Sequence, residues 1–347
     1  MNLKDFQAYF NPHLQTLLAK KTANLSTITS SKQNKFLLQH IEKLGKEGKR
    51  IRPYLVYLSY VSGGGKTKKD ILPYLLTVEL IHLFALIHDD VMDCAHLRRG
   101  VATVHYAYHA KYVKKNASLR DGESMAILAG DLVYAWAVEQ AFVLSCNGEN
   151  SALIQKSIVA MLEEVVHGQV IDIALMQNTK ASLKELETKN HLKTASYTFI
   201  RPIEIGLLAS GDRKTIPTMR KAGGCLGEAF QIQDDYLDIM GNPKKTKKDL
   251  CADIEMGQPS LMSQYIFERG TAKEKKQLDT FFGKPLTDAK IDILQKLFVT
   301  SGAEQFAQDA WHKAFTKAEA LIEKTSFTAI QKKKWNALIA LMWDRTS

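Results

Sequence analysis

The sequence has few of the residues that mark disulfide-rich, collagen-like or disordered chains. Its 347 residues include only 4 cysteines, 8 prolines and 20 glycines, and no segment is dominated by proline or glycine. This scarcity argues against a collagen-like or disordered chain, and against a chain of many short strands. Hydrophobic residues make up 45% of the sequence, which is enough to bury one large core or two modest ones.

The cysteines and the apolar segments do not indicate secretion or a membrane span. The cysteines are Cys94, Cys146, Cys225 and Cys251. They are scattered and form no CxxC pair, a pattern that favours reduced thiols in a cytosolic protein. Residues 1–15 have no apolar stretch of signal-peptide type, and the longest apolar run, 71–88, contains polar residues unsuited to a membrane span. The sequence predicts a cytoplasmic protein.

The chain also has no excess of acidic residues, since its net charge is +10. A basic balance suits nucleic acid, an anionic membrane surface or phosphorylated substrates. Much of the excess is local, in residues 66–69, 244–248 and the C-terminal third. Neither an Arg-rich arm nor zinc-finger spacing accompanies it, which disfavours a nucleic-acid partner.

Most of the chain has helical rather than alternating periodicity. The segment Ile71 to Asp93 has no helix breaker after Pro73, and Asp70 is a suitable N-cap. Further helices are predicted over residues 34–44, 54–61, 122–144, 151–176, 191–209 and 219–240, with amphipathic pieces from 259 to 343. Since no domain-dividing linker or repeat interrupts them, the prediction is one all-α domain, residues 1–347, with roughly ten to fourteen helices.

Two acidic clusters share one spacing. The first is Asp89, Asp90 and Asp93 in IHDDVMD, and the second is Asp234, Asp235 and Asp238 in QIQDDYLDI. The first and fifth residues of such a string share a helix face, with Cβ atoms about 6 Å apart, and their carboxylates repel unless a cation lies between them. Proteins typically hold Mg²⁺ by one or two carboxylates plus substrate phosphates. One cluster alone is compatible with a solvated helix end, but the repetition favours a magnesium site.

Basic groups alternate with these clusters along the chain. They are Lys49, Arg50 and Arg52 in GKRIRP, Arg98 and Arg99 in LRRG, Lys193 in KTASY, and Lys244, Lys245, Lys247 and Lys248. Adjacent arginines at a helix end can bind two anions bidentately, and the last four lysines are typical of a mobile basic lid. Each group alone is compatible with a solvated surface, whereas the alternation favours a magnesium–diphosphate site.

Six strings in this order resemble the trans-prenyl diphosphate synthases, which include farnesyl and geranylgeranyl diphosphate synthases. They are GKRIRP, ELIHLFALIHDDVMDCAHLRRG, LAGD, GQVIDI, KTASY and GEAFQIQDDYLDIMG, and with the segment that follows the last string the resemblance covers roughly residues 48–260. The resemblance implies the all-α isoprenoid synthase fold, with helices around a deep central cavity, and a homodimer. The implied reaction condenses isopentenyl diphosphate with an allylic diphosphate: the allylic diphosphate ionises, the isopentenyl double bond attacks the cation, and a proton is lost to the released diphosphate.

The resemblance also implies roles for individual residues. Asp89, Asp93 and Asp234 would bind Mg²⁺ directly, about three ions per site, and Asp90, Asp235 and Asp238 would support them. Arg98, Lys193 and Lys248 would bind the allylic diphosphate. Lys49, Arg52, His82 and Arg99 would bind the diphosphate of isopentenyl diphosphate. Thr194 and Gln231 would stabilise the developing allylic cation.

One position departs from the family pattern. After the second acidic cluster the family usually has Gly-Lys and a small residue, whereas this chain has Gly257-Gln258-Pro259. Gln258 keeps a hydrogen-bond donor but has no charge. We therefore expect weaker allylic binding or a shifted metal requirement rather than loss of activity.

Phe84 is the candidate for the residue that limits product length. It lies five residues before Asp89, a rise of about 7.5 Å along a helix, and Ala85 beside it is small. In the family, a bulky residue at this position acts as a floor for the growing chain. The pair resembles synthases of C15 to C20 products, more often C20. The alternative is that Phe84 is a core residue, and that Leu80, Ile81 or a neighbouring helix sets the depth.

Four other functions remain compatible with parts of the pattern. They are a longer-chain polyprenyl diphosphate synthase, a terpene cyclase, a non-catalytic subunit of a hetero-oligomeric synthase, and a helical phosphohydrolase using His88 and Asp89. A cyclase would leave GKRIRP without a role, and non-catalytic subunits typically lack the acidic motifs. The phosphohydrolase would leave the second cluster unexplained, and His88 is equally compatible with a hydrogen bond at a helix face.

Overall fold

The computed structural model describes residues 1–28, 31–113, 118–143, 149–176, 182–241 and 250–343. Within those ranges the only strands form one two-stranded hairpin, and the rest is helix, turn or irregular backbone. This confirms the all-α prediction. The described residues form sixteen α-helical segments and one π-helix.

The elements follow one another in this order. The first half contains α1 (Leu3–Ile28), α2 (Lys32–Lys46), α3 (Ile51–Ser62), α4 (Lys68–Met92), β1 (Leu97–Arg98), β2 (Val101–Ala102), α5 (Val104–Tyr112) and α6 (Arg120–Phe142). The middle contains α7 (Glu149–Met176), α8 (Leu183–Asn190), π1 (His191–Ile200), α9 (Arg201–Ser210) and α10 (Ile216–Met240). The last part contains α11 (Ala252–Glu255), α12 (Leu261–Arg269), α13 (Ala272–Asp279), α14 (Asp288–Thr300), α15 (Ala303–Glu323) and α16 (Ala329–Trp343).

The helix that carries the first acidic cluster, α4, begins earlier than predicted. Thr67 is its N-cap, so Asp70 lies within the first turn instead of capping it. α4 is long and apolar enough to cross a membrane by length and composition, but 67% of its most apolar window is buried. Its buried residues lie on every side, as expected for a helix at the centre of a core.

The chain divides into two compact units, Met1–Tyr57 with Lys66–Gln155, and Leu58–Gly65 with Lys156–Ser347. In the first unit α4 packs most extensively on α6, and α5 and α2 also contact α6. In the second unit α10 is central and packs on α15, π1 and α9. Each unit therefore has at its centre one long helix that carries an acidic cluster. The assignment of residues 1–347 to a single domain stays a prediction.

Candidate active site

The first acidic cluster lies at the C-terminal end of α4. Asp89 and Asp90 are in the last turn, and Asp93 is the C-cap, with its backbone N–H donating to the carbonyl oxygen of Asp89 at 2.8 Å. The C-terminus of a helix carries partial negative charge, so carboxylates there are unfavourable without a cation. The position of the cluster supports a role in binding one.

Arg98 is already engaged with this cluster. Its Nε lies 2.6 Å and its Nη2 2.5 Å from Asp90 Oδ1, and Nη2 is 3.7 Å from Asp89 Oδ2. Asp90 is 1% exposed, and burial raises the pKa of its carboxyl to about 6, although Arg98 opposes the rise. Asp90 thus holds Arg98 in place beside Asp89, which fits a supporting role for Asp90.

Arg98 and Arg99 are presented by a β-hairpin, and the prediction that they end a helix is wrong. Leu97 pairs with Ala102 and Arg98 with Val101. The turn residues, Arg99 and Gly100, have φ values of +54° and +78°, the conformation that a two-residue hairpin turn requires. A non-glycine residue at positive φ costs on the order of 1 kcal/mol, and such residues concentrate at functional sites.

The residues predicted to bind isopentenyl diphosphate all lie in the first unit, and three of them are close together. Arg99 Nη2 lies 3.4 Å from His82 Nε2, and the same guanidinium donates to the carbonyl oxygen of Glu47. Burial, followed by the charges of Arg52 and Arg99, lowers the pKa of His82 well below its usual value. His82 is therefore neutral at pH 7, and the positive charge that surrounds it favours an anion. Lys49 is exposed at the end of the loop that precedes α3.

Arg50, in the same motif, is buried and makes structural contacts. It is 3% exposed, and its Nη1 lies 2.6 Å from Glu79 Oε1 of α4. Its remaining donors bond to Asn11 Oδ1 at 2.8 Å and to the carbonyl oxygens of Gly45 and Lys46 at 2.7 and 2.9 Å. The motif GKRIRP therefore anchors its loop through Arg50.

The second acidic cluster lies in the last two turns of α10. Asp235 is 6% exposed, its Oδ1 accepts a 2.7 Å bond from Gln231 Nε2, and its Oδ2 accepts none from the residues that the structure describes. Burial raises the pKa of Asp235 to about 7, and Lys189 opposes the rise. Asp238 Oδ2 accepts from the backbone N–H of Asp253 at 3.2 Å. An orphaned buried carboxylate oxygen among hard oxygen donors fits a divalent cation.

Neither cluster is a preformed cage for a metal ion. Among the described residues, no three Asp, Glu, His or Cys side chains converge to hold one ion. Mg²⁺ usually keeps one or two carboxylates and completes its octahedron with substrate phosphates and water. The donor set therefore fits an ion that arrives together with a diphosphate.

Thr194 and Gln231, the residues predicted to stabilise the allylic cation, are hydrogen-bonded to each other. Thr194 Oγ1 donates a 2.5 Å bond to Gln231 Oε1, while Gln231 Nε2 bonds to Asp235. This chain of bonds fixes the orientation of the Gln231 amide between π1 and the second acidic cluster. Lys193 Nζ is paired with Asp172 Oδ2 of α7.

Lys193 and Thr194 lie on a ten-residue π-helix that the periodicity did not predict. A Cβ on Gly168 would lie 2.5 Å from the backbone nitrogen of Lys193, and one on Gly227 would lie 2.2 Å from Ala195 Cα. The two glycines therefore allow α7 and α10 to approach π1 at van der Waals distance. Ser196 and Arg201 bind Glu164 of α7, the latter with Nε at 2.9 Å. π-Helical segments frequently occur at functional sites.

Phe84, the candidate floor residue, lies between α4 and α6. Its ring centroid is 5.4 Å from that of Tyr134 and 5.5 Å from that of His88, and both Phe84 and Ala85 are half-buried. His88 packs on Gly130 and donates a 3.0 Å bond to the carbonyl oxygen of Ile127. This geometry supports the helix-face interpretation of His88 over a metal ligand. Sequence reasoning missed Tyr134.

Some predicted residues lie outside the described part of the chain. They are Lys244, Lys245, Lys247 and Lys248, together with Cys146. Gln258 is described and is 7% exposed, with its backbone N–H donating to the carbonyl oxygen of Asp253 at 2.7 Å. The residue at the position of the usual family lysine is therefore buried on the segment that follows the second cluster.

Comparison with known proteins assigns the chain to a family. A short chain isoprenyl diphosphate synthase from Methanothermobacter thermautotrophicus is 30% identical over 289 residues, covering 82% of this chain and 83% of the relative. A geranylgeranyl pyrophosphate synthase from Geoglobus acetivorans is 29% identical over 285 residues, covering 82% of each.

The fold comparison agrees with the sequence comparison. A crystal structure of geranylgeranyl pyrophosphate synthase from Corynebacterium glutamicum, complexed with isoprenyl diphosphate and magnesium, superposes with a TM-score of 0.91 at 25% identity and covers 99% of this chain and 100% of that chain. The sequence model of the polyprenyl synthetase family matches residues 34–298. The chain belongs to the polyprenyl synthetase family.

Proposed function

We propose that this protein is a magnesium-dependent prenyltransferase that condenses isopentenyl diphosphate with an allylic diphosphate. The observation that carries the proposal is the group of His82, Arg52 and Arg99 in the same unit as Arg98 and the first acidic cluster. A neutral imidazole with guanidinium groups beside it favours the binding of a diphosphate. Carboxylates next to an arginine favour a diphosphate that is bound to a metal ion. We place the activity in the cytoplasm, consistent with free thiols at Cys94, Cys225 and Cys251.

The chain's own residues would bind and orient the substrates. Asp89, Asp93 and Asp234 would hold Mg²⁺, which when bound neutralises charge on the departing diphosphate. Arg98 and Lys193 would hold the allylic diphosphate, with Lys248 as a further contact. Lys49, Arg52, His82 and Arg99 would fix isopentenyl diphosphate so that its double bond meets the reacting carbon.

The cation that forms on ionisation needs a dry and oriented environment. The Thr194 hydroxyl and the Gln231 amide are fixed by their mutual hydrogen bond at 2.5 Å, and their oxygens would stabilise positive charge without reorganising. The helical walls would have to exclude water, which would otherwise capture the cation.

A direct assay tests this proposal. The purified chain is incubated with Mg²⁺, labelled isopentenyl diphosphate and, separately, C5, C10 and C15 allylic diphosphates, and the dephosphorylated products are sized by chromatography. We expect longer prenyl alcohols that disappear with EDTA. If no starter gives incorporation under these conditions, the proposal is wrong for the chain on its own.

We propose geranylgeranyl diphosphate, C20, as the main product within a C15 to C20 range, and Phe84→Ala is expected to lengthen it. The Phe84 ring contacts Tyr134, and its removal would open space between α4 and α6 for further isoprene units. The distribution of product lengths is measured by chromatography. Phe36→Ala, a half-buried aromatic of α2, is the control and should leave the lengths unchanged. An unchanged distribution in Phe84→Ala contradicts the floor role.

We propose a homodimer, and exposed apolar residues support it. Ile127 and Leu128 on α6 are 45% and 56% exposed, and Val166 and Val170 on α7 are 54% and 60% exposed. Val166 and Val170 are four residues apart and share one face of α7, and an exposed apolar patch is typical of an interface. Light scattering is expected to give twice the mass of one chain, and Val166→Glu is expected to reduce it. Ile330→Glu, at a 71% exposed position on α16, should not; a monomeric wild type contradicts the proposal.

The metal-free protein is expected to lose stability as the pH rises from about 4 to about 7. The pKa values of Asp90 and Asp235 are raised to about 6 and about 7 in the folded chain, from an ordinary value of 3.8. The folded state therefore binds more protons than the unfolded state in this window, and the free energy of unfolding falls with pH until both carboxyls are ionised.

Thermal unfolding in EDTA checks this pH dependence. The Tm of Asp235→Asn relative to wild type should rise between pH 5 and pH 8, because the asparagine has no proton to lose. Asp121→Asn, at an exposed position in the first turn of α6, should show no such trend. Parallel curves for Asp235→Asn and wild type would contradict the assignment.

A further inference from the structure

A buried lysine that belongs to no recognised motif lies beside Lys193. Lys189, near the end of α8, is 7% exposed. Its Nζ lies 3.3 Å from Asp172 Oδ1, and Lys193 Nζ is paired with the other oxygen, Oδ2, of the same carboxylate. The two lysines are four residues apart, a spacing that places them on one helix face. One carboxylate on α7 thus has a lysine on each oxygen.

The three side chains carry a net positive charge. Asp172 is 5% exposed; burial raises the pKa of its carboxyl, but Lys189 and Lys193 more than offset this and hold the pKa below its usual value. The carboxylate is therefore ionised at neutral pH, and with two ammonium groups the triad has one positive charge in excess. This positive charge favours the approach of an anion at the accessible end of the triad.

Only one of the two lysines is placed to meet an anion. The side chain of Lys193 is 27% exposed, whereas that of Lys189 is 8% exposed. If Lys193 were the sole partner of Asp172, its engagement with a diphosphate would weaken the pairing of a buried carboxylate, which is strongly unfavourable. A second lysine on the other oxygen removes this penalty.

We propose that Lys189 is a positioning residue, the permanent counterion of Asp172, so that the carboxylate keeps a partner when Lys193 engages the allylic diphosphate. The inference rests on the proposed function of Lys193. Lys189 itself does not touch the substrate; it acts through Asp172.

Variants that change the charge of the triad distinguish this role from a merely structural one. The wild-type triad has a charge of +1. Lys189→Met reduces it to zero and leaves Lys193 as the only partner of Asp172. Adding Asp172→Asn to Lys189→Met restores +1 on Lys193 without restoring any ion pair. If Lys189 served only to link α8 to α7, the additional removal of Asp172 would not restore anion binding.

The probe is inorganic pyrophosphate with Mg²⁺, titrated calorimetrically into the full chain. We expect Lys189→Met to weaken pyrophosphate binding by a factor on the order of ten, and Lys189→Arg to remain within about threefold of wild type. The double variant Lys189→Met with Asp172→Asn is expected within about threefold of wild type. Unchanged binding in Lys189→Met, or a double variant as weak as Lys189→Met, overturns the inference.

The same series separates this inference from the proposed function. A wild type that binds pyrophosphate but elongates no allylic diphosphate overturns the proposed function, while the ranking of the variants still decides the role of Lys189. A wild type that does not bind pyrophosphate overturns the role of Lys189. If Lys189→Met alone does not fold, the double variant is compared with wild type directly, and a difference of more than about tenfold then counts against the proposal.

Discussion

Replacing Asp89 or Asp234 by asparagine is expected to lower kcat for prenyl transfer by a factor on the order of 10³ or more, with the fold intact. Asparagine keeps the size of the side chain and one oxygen but removes the charge that holds a divalent cation. Asp89 has a side-chain exposure of 21% and is 3.7 Å from the Arg98 guanidinium, so the lost carboxylate is on the accessible side of the cluster. The measurements are kcat at saturating Mg²⁺ and Tm.

Matched acidic residues away from the clusters provide the controls. Asp121 is exposed in the first turn of α6, and Asp288 is exposed in the first turn of α14. Each tolerates asparagine with a cost of less than about 1 kcal/mol in stability, and neither variant should change kcat. If Asp234→Asn keeps wild-type kcat while Asp89→Asn does not, the second cluster is not a metal site and the proposed role of Asp234 as a Mg²⁺ ligand is wrong.

The acidic clusters were predictable from sequence because their geometry depends only on the spacing of residues within one helix. Helical periodicity places Asp89 with Asp93, and Asp234 with Asp238, whatever the rest of the chain does. The pairing of Thr194 with Gln231 spans 37 residues, and periodicity alone would not give it. The resemblance to one family implied a role for each residue, but not the bond between them.

Other parts of the site depend on contacts that no local pattern encodes. Lys189 pairs with Asp172, 17 positions away, and Arg201 with Glu164, 37 positions away. Arg99, the first residue of the hairpin turn, has a positive φ although it is not glycine, so the sequence gives no typical signal for this turn. The π-helix lies in close contact with Gly168 and Gly227, tertiary contacts that periodicity does not encode. Sequence reasoning therefore identified the chemical groups but missed several of the residues that hold them.

Arg50→Met is expected to destabilise the protein by about 3–5 kcal/mol, because it leaves a buried carboxylate without its partner. Arg50 and Glu79 have side-chain exposures of only 1% and 5%, so little solvent screens the pair or replaces it. The variant also removes donors to the carbonyl oxygens of Gly45 and Lys46. Chemical denaturation of the metal-free protein measures the free energy of unfolding, and the loop between α2 and α3 should lose protection from hydrogen exchange.

Arg52→Met, two residues along the same motif, is the matched control because it removes the same charge from the same segment. Arg52 adds to the field that keeps His82 neutral, so its loss should raise KM for isopentenyl diphosphate with a smaller effect on stability. Arg50→Met combined with Glu79→Leu should recover much of the lost stability, since the double variant buries no unpaired charge. A double variant as unstable as Arg50→Met would show that Arg50 acts through the loop carbonyls instead of through Glu79. In that case Arg50 would still stabilise the fold and Arg52 would still bind substrate, but Arg50 would act through its bonds to the loop carbonyls.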